Sequence, residues 1–133
     1  MTAQETINLI NKEKGTKLSD KGLDVFSSYD AEDDFYIVEI KNRRGYYPTK
    51  MIEALKLFTN YHKAQKMGKH FLYIVTDESG LYVFNISKVI DEIIDLGVKK
   101  TRQPSTTDFD DDRTIVKYVY FIPETMSICT FNL

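Results

Sequence analysis

The chain has 133 residues, of which 42% are hydrophobic and 13% aromatic, and its formal net charge is −2 at pH 7. These values are typical of one compact domain over residues 1–133 and exclude a disordered chain. No stretch approaches the ~20 apolar residues of a membrane span, and no apolar signal region opens the sequence. The single cysteine, Cys129, excludes an intrachain disulfide. We therefore expect a cytoplasmic protein without a membrane partner.

Hydrophobic periodicity predicts alternating helices and strands. The predicted elements are a helix at 2–13, strands at 23–27 and 35–42, a helix from Pro48 or Thr49 to Met67, strands at 71–76 and 81–85, a helix at 88–96, and strands at 114–122 and 126–131. The long helix is predicted from apolar residues at helical spacing, namely Met51, Ala54, Leu55, Phe58 and Tyr61. Residues 27–34 are predicted to turn the chain, and residues 99–112 to form a polar loop. The order predicts an α/β fold with a central mixed β-sheet flanked by helices.

The tripeptide Glu39-Ile40-Lys41 ends the apolar strand predicted at 35–42. Because strand side chains alternate between faces, Glu39 and Lys41 project from the same face, about 7 Å apart along the strand. Asp24 lies in the apolar stretch fifteen residues upstream of Glu39. A hairpin through residues 27–34 would bring Asp24 beside both side chains. Two carboxylates and an ammonium on one face suit a hard divalent cation and a phosphodiester.

A second interpretation of the same residues is structural. A Glu-x-Lys occurs by chance in roughly one chain of this size in two or three. In that case Glu39 and Lys41 form an exposed strand end with a cross-strand salt bridge, and Asp24 is a turn acid. The spacing alone favours neither interpretation.

The pattern of Asp24, fourteen further residues and Glu39-Ile40-Lys41 resembles the signature of the PD-(D/E)XK nuclease superfamily. The order of elements is similar as well, with a leading helix, a hairpin bearing the motif, a helix and two more strands over residues 2–85. In outline the chain is most similar to small Holliday-junction resolvases and compact phage or restriction nucleases. It departs from the pattern at Leu23, where the superfamily's name records proline.

The resemblance implies a restriction-endonuclease-like fold and a metal-dependent endodeoxyribonuclease. Asp24 and Glu39 would bind Mg²⁺ or Mn²⁺, with the backbone carbonyl of Ile40 as a further ligand and Glu5 on the leading helix as an additional one. Lys41 would orient or help deprotonate the attacking water, or stabilise the transition state. The expected partner is duplex or branched DNA, and a homodimer is the assembly implied for an enzyme that cuts both strands.

Charge is distributed unevenly along the chain. Residues 41–70 contain eight basic side chains against one acid, a local excess of about seven positive charges. Within this block, Arg43, Arg44 and Lys50 are predicted to contact backbone phosphates; a solvated helix face is the other explanation for the later lysines. The acidic runs at 30–34 and 108–112 lack the EF-hand pattern and are interpreted as solvated turns.

The sequence thus predicts a magnesium-dependent endonuclease with Asp24, Glu39 and Lys41 at its active site. The alternative is a non-catalytic nucleic-acid- or protein-binding module that retains the same fold. A third possibility is a small interaction protein in which the three residues coincide by chance.

Overall fold

The computed structural model describes residues 1–21, 27–104 and 113–131. These residues form three α-helices, two β-sheets and a short 3-10 helix. The elements are α1 (Ala3–Lys14), β1 (Ser19–Asp20), β2 (Ala31–Glu32), β3 (Tyr36–Asn42), β4 (Thr49–Glu53), α2 (Ala54–Met67), β5 (His70–Asp77), β6 (Gly80–Asn85), α3 (Ile86–Leu96), β7 (Lys99–Pro104), β8 (Thr114–Pro123), the 3-10 helix (Glu124–Met126) and β9 (Cys129–Phe131). The expected α/β class with a mixed sheet is confirmed. No helix within the described ranges is long and apolar enough to cross a lipid bilayer.

The larger sheet has the strand order β1-β2-β3-β5-β6-β9. Its central strands β3 and β5 are parallel, and its other neighbouring strands are antiparallel. Alternate residues of β3 therefore face two different cores. Val38 and Ile40 pack with Ile7 and Ile10 of α1 on one side. Ile37 packs on the other side with residues of α2, α3 and the second sheet.

The second sheet has the order β4-β8-β7 and is antiparallel throughout. It corrects two predictions. Residues 49–53 form β4 where a helix was expected, because pairing with β8 places Lys50 and Ile52 on the buried side of a strand. Residues 99–104 form β7 where a loop was expected, because this polar segment pairs along its whole length with β8.

The late start of α2 also changes which of its faces is buried. The structure buries Leu57, Asn60 and Ala64. Leu55, which the helical spacing had assigned to the core, is 77% exposed. The predicted strands at 71–76 and 81–85 are confirmed as β5 and β6, and the helix predicted at 88–96 begins two residues earlier, with Asn85 as its N-terminal cap.

Lys50 links the two sheets through a buried ion pair. Its ammonium donates to Asp77 at the end of β5, and both side chains are fully buried. It also donates to Glu124, at 3.1 Å, and to the carbonyl of Tyr47. These bonds hold the pKa of Lys50 above its ordinary value although burial lowers it. Burial makes such a pair expensive to break from one side, because the remaining charge loses its partner.

We expect Asp77→Asn to lower the free energy of unfolding by about 3 kcal/mol, because it leaves the Lys50 ammonium without its buried counterion. Urea denaturation at pH 7 measures the change. Glu78→Gln, which removes an exposed acid one residue further on, is the matched control and should change stability by less than about 0.5 kcal/mol. Equal stability of the two variants would contradict a dominant role for the buried pair.

Candidate functional site

Glu39 and Lys41 lie on the side of β3 that faces away from α1. Val38 and Ile40 occupy the α1 side, so strand alternation directs Glu39 and Lys41 to the opposite one. Glu39 is only 6% exposed although it carries a carboxylate. Both residues line the same small cleft, which is consistent with the prediction that they share one face of the strand.

The acid that the register sets opposite Glu39 is Asp30. Ala31 pairs with Val38 and Glu32 with Ile37, so the next pair in the antiparallel ladder is Asp30 with Glu39. The Asp30 amide donates to the Val38 carbonyl at 2.8 Å. The Asp30 carboxylate accepts from the Ile40 amide at 2.7 Å. These bonds fix the Asp30 carboxylate to β3 beside Glu39.

Helix α2 holds the segment that carries Asp30. Asn60 is fully buried, accepts from the Ser28 hydroxyl at 2.7 Å and donates to the Ser28 carbonyl at 3.1 Å. Lys63 donates to the same hydroxyl at 2.9 Å. Between α2 and this segment is an open pocket of about 340 Å³. Asp30 and Glu39 both line it, so their carboxylates are accessible from one cavity.

Lys56, in the first turn of α2, is the cationic partner of Glu39. Its ammonium lies 3.1 Å from the Glu39 Oε1 atom. A cation at a helix N-terminus opposes the helix dipole, and no acid in that turn offsets it. The ion pair with Glu39 supplies the compensation. Although burial lowers the pKa of Lys56, the carboxylate of Glu39 raises it above its ordinary value.

Burial disfavours the ionised form of both acids, and the Asp30 carboxylate further disfavours that of Glu39. Burial and the neighbouring Asp30 carboxylate raise the pKa of Glu39 to about 7, against the opposing effect of Lys56. Burial also raises the pKa of Asp30, although the Ile40 amide stabilises its charge. Burial and the cations Arg43 and Lys56 lower the pKa of Lys41. Mutually perturbed groups of this kind mark functional sites more often than ordinary surface.

A second, smaller cleft adjoins the first at Glu39 and Lys56. Lys41, Arg43 and Glu53 are among the residues that line it. Arg43 is half-buried, and its Nε atom has no hydrogen-bond partner within the described structure. An unsatisfied buried donor suits an anionic ligand. Arg43 lines this cleft and Arg44 is exposed in the adjoining loop, and the phosphate contacts predicted for both stay predictions.

Two other predicted site residues, Glu5 and Lys50, lie away from this site, and a third, Asp24, lies outside the described residues. Glu5 caps α1, where its carboxylate accepts from the Thr2 amide, and α1 covers the side of β3 opposite Glu39. Lys50 is buried in its own ion pair. These positions correct the expectations that Glu5 binds the metal and that Lys50 contacts phosphate. Asp24 lies outside the described residues, so its predicted role stays a prediction.

Sequence reasoning missed Asp30 and Lys56 for different reasons. Asp30 begins a run of acids, and that run was interpreted as a solvated turn. The available signal was Ala31, a small apolar residue inside the acidic run that is fully buried against Val38 and α1. Lys56 was one of the later lysines of residues 41–70, for which a phosphate contact and a solvated helix face were both left open, because its partner is seventeen residues away on another element.

Within residues 1–21, 27–104 and 113–131, no three or more His, Cys, Asp or Glu side chains converge to form a complete metal site. No model of a known protein family matches this chain, and no curated protein resembles its sequence significantly. The geometry of Asp30, Glu39, Lys41 and Lys56 therefore carries the functional argument.

The raised pKa of Glu39 predicts a stability that depends on pH. Between about pH 4.5 and 7 the folded protein keeps a proton that the unfolded chain has released. The free energy of unfolding should therefore fall as pH rises through this window, by about 2–3 kcal/mol. Glu39→Gln should abolish most of this fall and be the more stable protein at pH 8. Urea denaturation from pH 4.5 to 8 measures both effects.

Glu13→Gln is the matched control, since Glu13 is an exposed acid of α1. Its stability profile should parallel that of the wild type. If the Glu39→Gln profile were also parallel, the carboxylate of Glu39 would not be destabilised by its surroundings.

Proposed function

We propose that this protein is a metal-dependent endodeoxyribonuclease with a restriction-endonuclease-like fold, in which Asp30, Glu39 and Lys41 form the active site. The observation that supports the proposal is the placement of the buried Glu39 carboxylate opposite the half-buried Asp30 carboxylate in the register of β2 and β3, with Lys41 two residues after Glu39 on the same face. In this proposal Asp30 has the role that the spacing had assigned to Asp24, whose own role stays a prediction. Eight residues separate Asp30 from Glu39, and a short hairpin brings the two together.

The donor set fits a hard divalent cation such as Mg²⁺ or Mn²⁺. Asp30 and Glu39 offer carboxylate oxygens; burial disfavours the ionised form of both, and the Asp30 carboxylate further disfavours that of Glu39. The Ile40 carbonyl is the expected third oxygen. A cation bound there would supply a water of lowered pKa and neutralise charge on the phosphate.

The remaining residues have roles that follow from their positions. The Ile40 amide fixes the orientation of the Asp30 carboxylate. Burial and the cations Arg43 and Lys56 lower the pKa of Lys41, so its ammonium gives up a proton more readily than an ordinary lysine does. Arg43, with its unsatisfied Nε atom, is placed to bind a phosphate oxygen. Lys56 balances the charge of Glu39 when no cation is bound.

The alternative is a nucleic-acid-binding module that keeps the fold without catalysis. One observation favours it, namely the ion pair by which Lys56 already neutralises Glu39. In such a module Lys56 would be a permanent substitute for the cation. The two functions differ in the response to Mg²⁺, because only the nuclease requires Lys56 to release Glu39.

Asp30→Asn and Glu39→Gln should each lower Mg²⁺-dependent cleavage of DNA by at least about a hundredfold, because each removes one carboxylate ligand of the cation. The measurement is the single-turnover rate on linear, nicked and branched DNA, with folding checked by circular dichroism. Asp24→Asn is the comparison variant and should cut at close to the wild-type rate. A loss with Asp24→Asn and none with Asp30→Asn would restore the prediction made from spacing.

Lys41→Ala should act on the chemical step more than on binding. It removes one of several phosphate contacts, so affinity for DNA should stay within a few-fold of wild type. Its cleavage rate should fall by roughly a hundredfold, the usual scale for losing a positioned acid–base or electrostatic group. Single-turnover kinetics at saturating enzyme separate the two effects. A variant that cuts normally once bound would reduce Lys41 to a phosphate anchor.

A further inference from the structure

Strands β7 and β8 form a two-stranded ribbon, and no other described element of the chain pairs with its distal half. Pairing runs from Lys99 opposite Val119 to Pro104 opposite Thr114. Val119 is fully buried, but Val116 and Tyr118 are 48% and 55% exposed. Only the other half of β8, residues 119–123, pairs with β4. Six paired residues span about 20 Å, so the ribbon is long enough to form a contact surface of its own.

The described part of this ribbon is strongly basic. Residues 99–104 and 113–123 contain five cationic side chains and no acid, in a chain whose net charge is −2. The cationic residues are Lys99, Lys100, Arg102, Arg113 and Lys117. Alternation places Lys100 and Arg102 on one face of the ribbon and Lys99 and Lys117 on the other. Cations on both faces suit a partner that presents phosphates on two sides of the ribbon.

The ribbon is continuous with the candidate active site. Lys117 on β8 donates to Glu53 at 2.9 Å. Glu53 in turn lines the cleft that contains Glu39, Lys41 and Arg43. A polyanion bound at that cleft would thus meet the cations of the ribbon next.

We infer that the β7–β8 ribbon is a DNA-binding arm that contacts the substrate beside the cleavage site, and that this substrate is duplex DNA. The inference rests on the proposed nuclease function. The major groove, about 12 Å wide, admits a two-stranded β-ribbon. There the exposed Val116 and Tyr118 would contact base edges and sugars while the cations bind phosphates of both strands.

The sequence between the two strands indicates how the duplex lies. Residues 105–112 connect β7 to β8 and include four aspartates, at 108 and 110–112. Acids repel phosphates. We therefore expect the duplex to contact the sides of the ribbon near the active site rather than this acidic segment.

The test compares two triple variants with the same change of charge. The ribbon variant is Lys99→Gln with Lys100→Gln and Arg102→Gln, and its three residues are exposed. The control is Lys12→Gln with Lys14→Gln and Lys17→Gln, three exposed residues in or just after α1, on the opposite side of the sheet. Fluorescence anisotropy measures binding of a 30-base-pair duplex, and of one of its strands alone, in EDTA over a range of salt concentrations.

The ribbon variant should bind the duplex about 10- to 100-fold more weakly at 100 mM salt and lower the salt slope by up to about three units. The control should stay within about threefold of wild type. Binding of the single strand should change less than binding of the duplex. Equal losses in both variants, no loss in the ribbon variant, or equal losses for duplex and single strand would each overturn the inference.

Sedimentation of the free proteins tests a different occupant of the ribbon. If the ribbon variant changed the oligomeric state and bound DNA normally, the ribbon would join two copies of the chain, and the inference would be wrong. Because binding is measured in EDTA, the result does not depend on catalysis. Binding through the ribbon without cleavage in Mg²⁺ would contradict only the nuclease proposal, and cleavage with an unaffected ribbon variant would contradict only the ribbon inference.

Discussion

The carboxylates of Asp30 and Glu39 lie opposite each other in the register on the side of β3 that faces away from α1, and the burial of Glu39 and partial burial of Asp30 oppose the ionisation of both. Carboxylates removed from water are tolerated as anions only where other groups stabilise them. Here the Ile40 amide bonds to Asp30, and the Lys56 ammonium pairs with Glu39. Even so, the pKa of Glu39 is raised to about 7. Unfavourable charge maintained at the centre of a sheet is more readily explained by function than by stability.

The position of β3 determines what surrounds these acids. One side of the strand builds an apolar core with α1, and the other side carries the acids toward α2 and the second sheet. That second sheet is joined to the first by the buried contact of Lys50 with Asp77 and Glu124. The same junction brings Glu53 to the cleft beside Glu39. The ion pair of Lys50 therefore contributes to the site indirectly, by holding β4 in place.

Tertiary pairing also redistributes the charge that the sequence displays. Residues 41–70 are strongly basic when counted along the chain, yet three of their lysines are paired with acids from other elements. These pairs are Lys50 with Asp77 and Glu124, Lys56 with Glu39, and Lys69 with Glu32. Ion pairs with acids from other elements therefore neutralise part of the positive charge of residues 41–70. The ribbon of β7 and β8 carries cations that a count over residues 41–70 does not include.

Local patterns in the sequence were sufficient for several features of the fold. The apolar runs at 35–38 and 71–76 predicted β3 and β5, because a buried strand is recorded in its own residues. The alternation of side chains along a strand placed Glu39 and Lys41 on one side of β3. Other features depended on partners that are distant in the chain. Residues 49–53 form strand β4 because they pair with one edge of β8. Residues 99–104 form strand β7 because they pair with the other edge of β8, although these residues are polar.

The acid opposite Glu39 belongs to this second group. Asp30 lies opposite Glu39 because the strand register pairs Ala31 with Val38. The spacing of residues along the sequence does not by itself reveal such a register. Lys56 meets Glu39 only because the turn from β4 into α2 ends beside β3. Composition and periodicity therefore specify which segments are buried, whereas the identity of the side chains that meet is decided by strand pairing and by the packing of elements far apart in sequence.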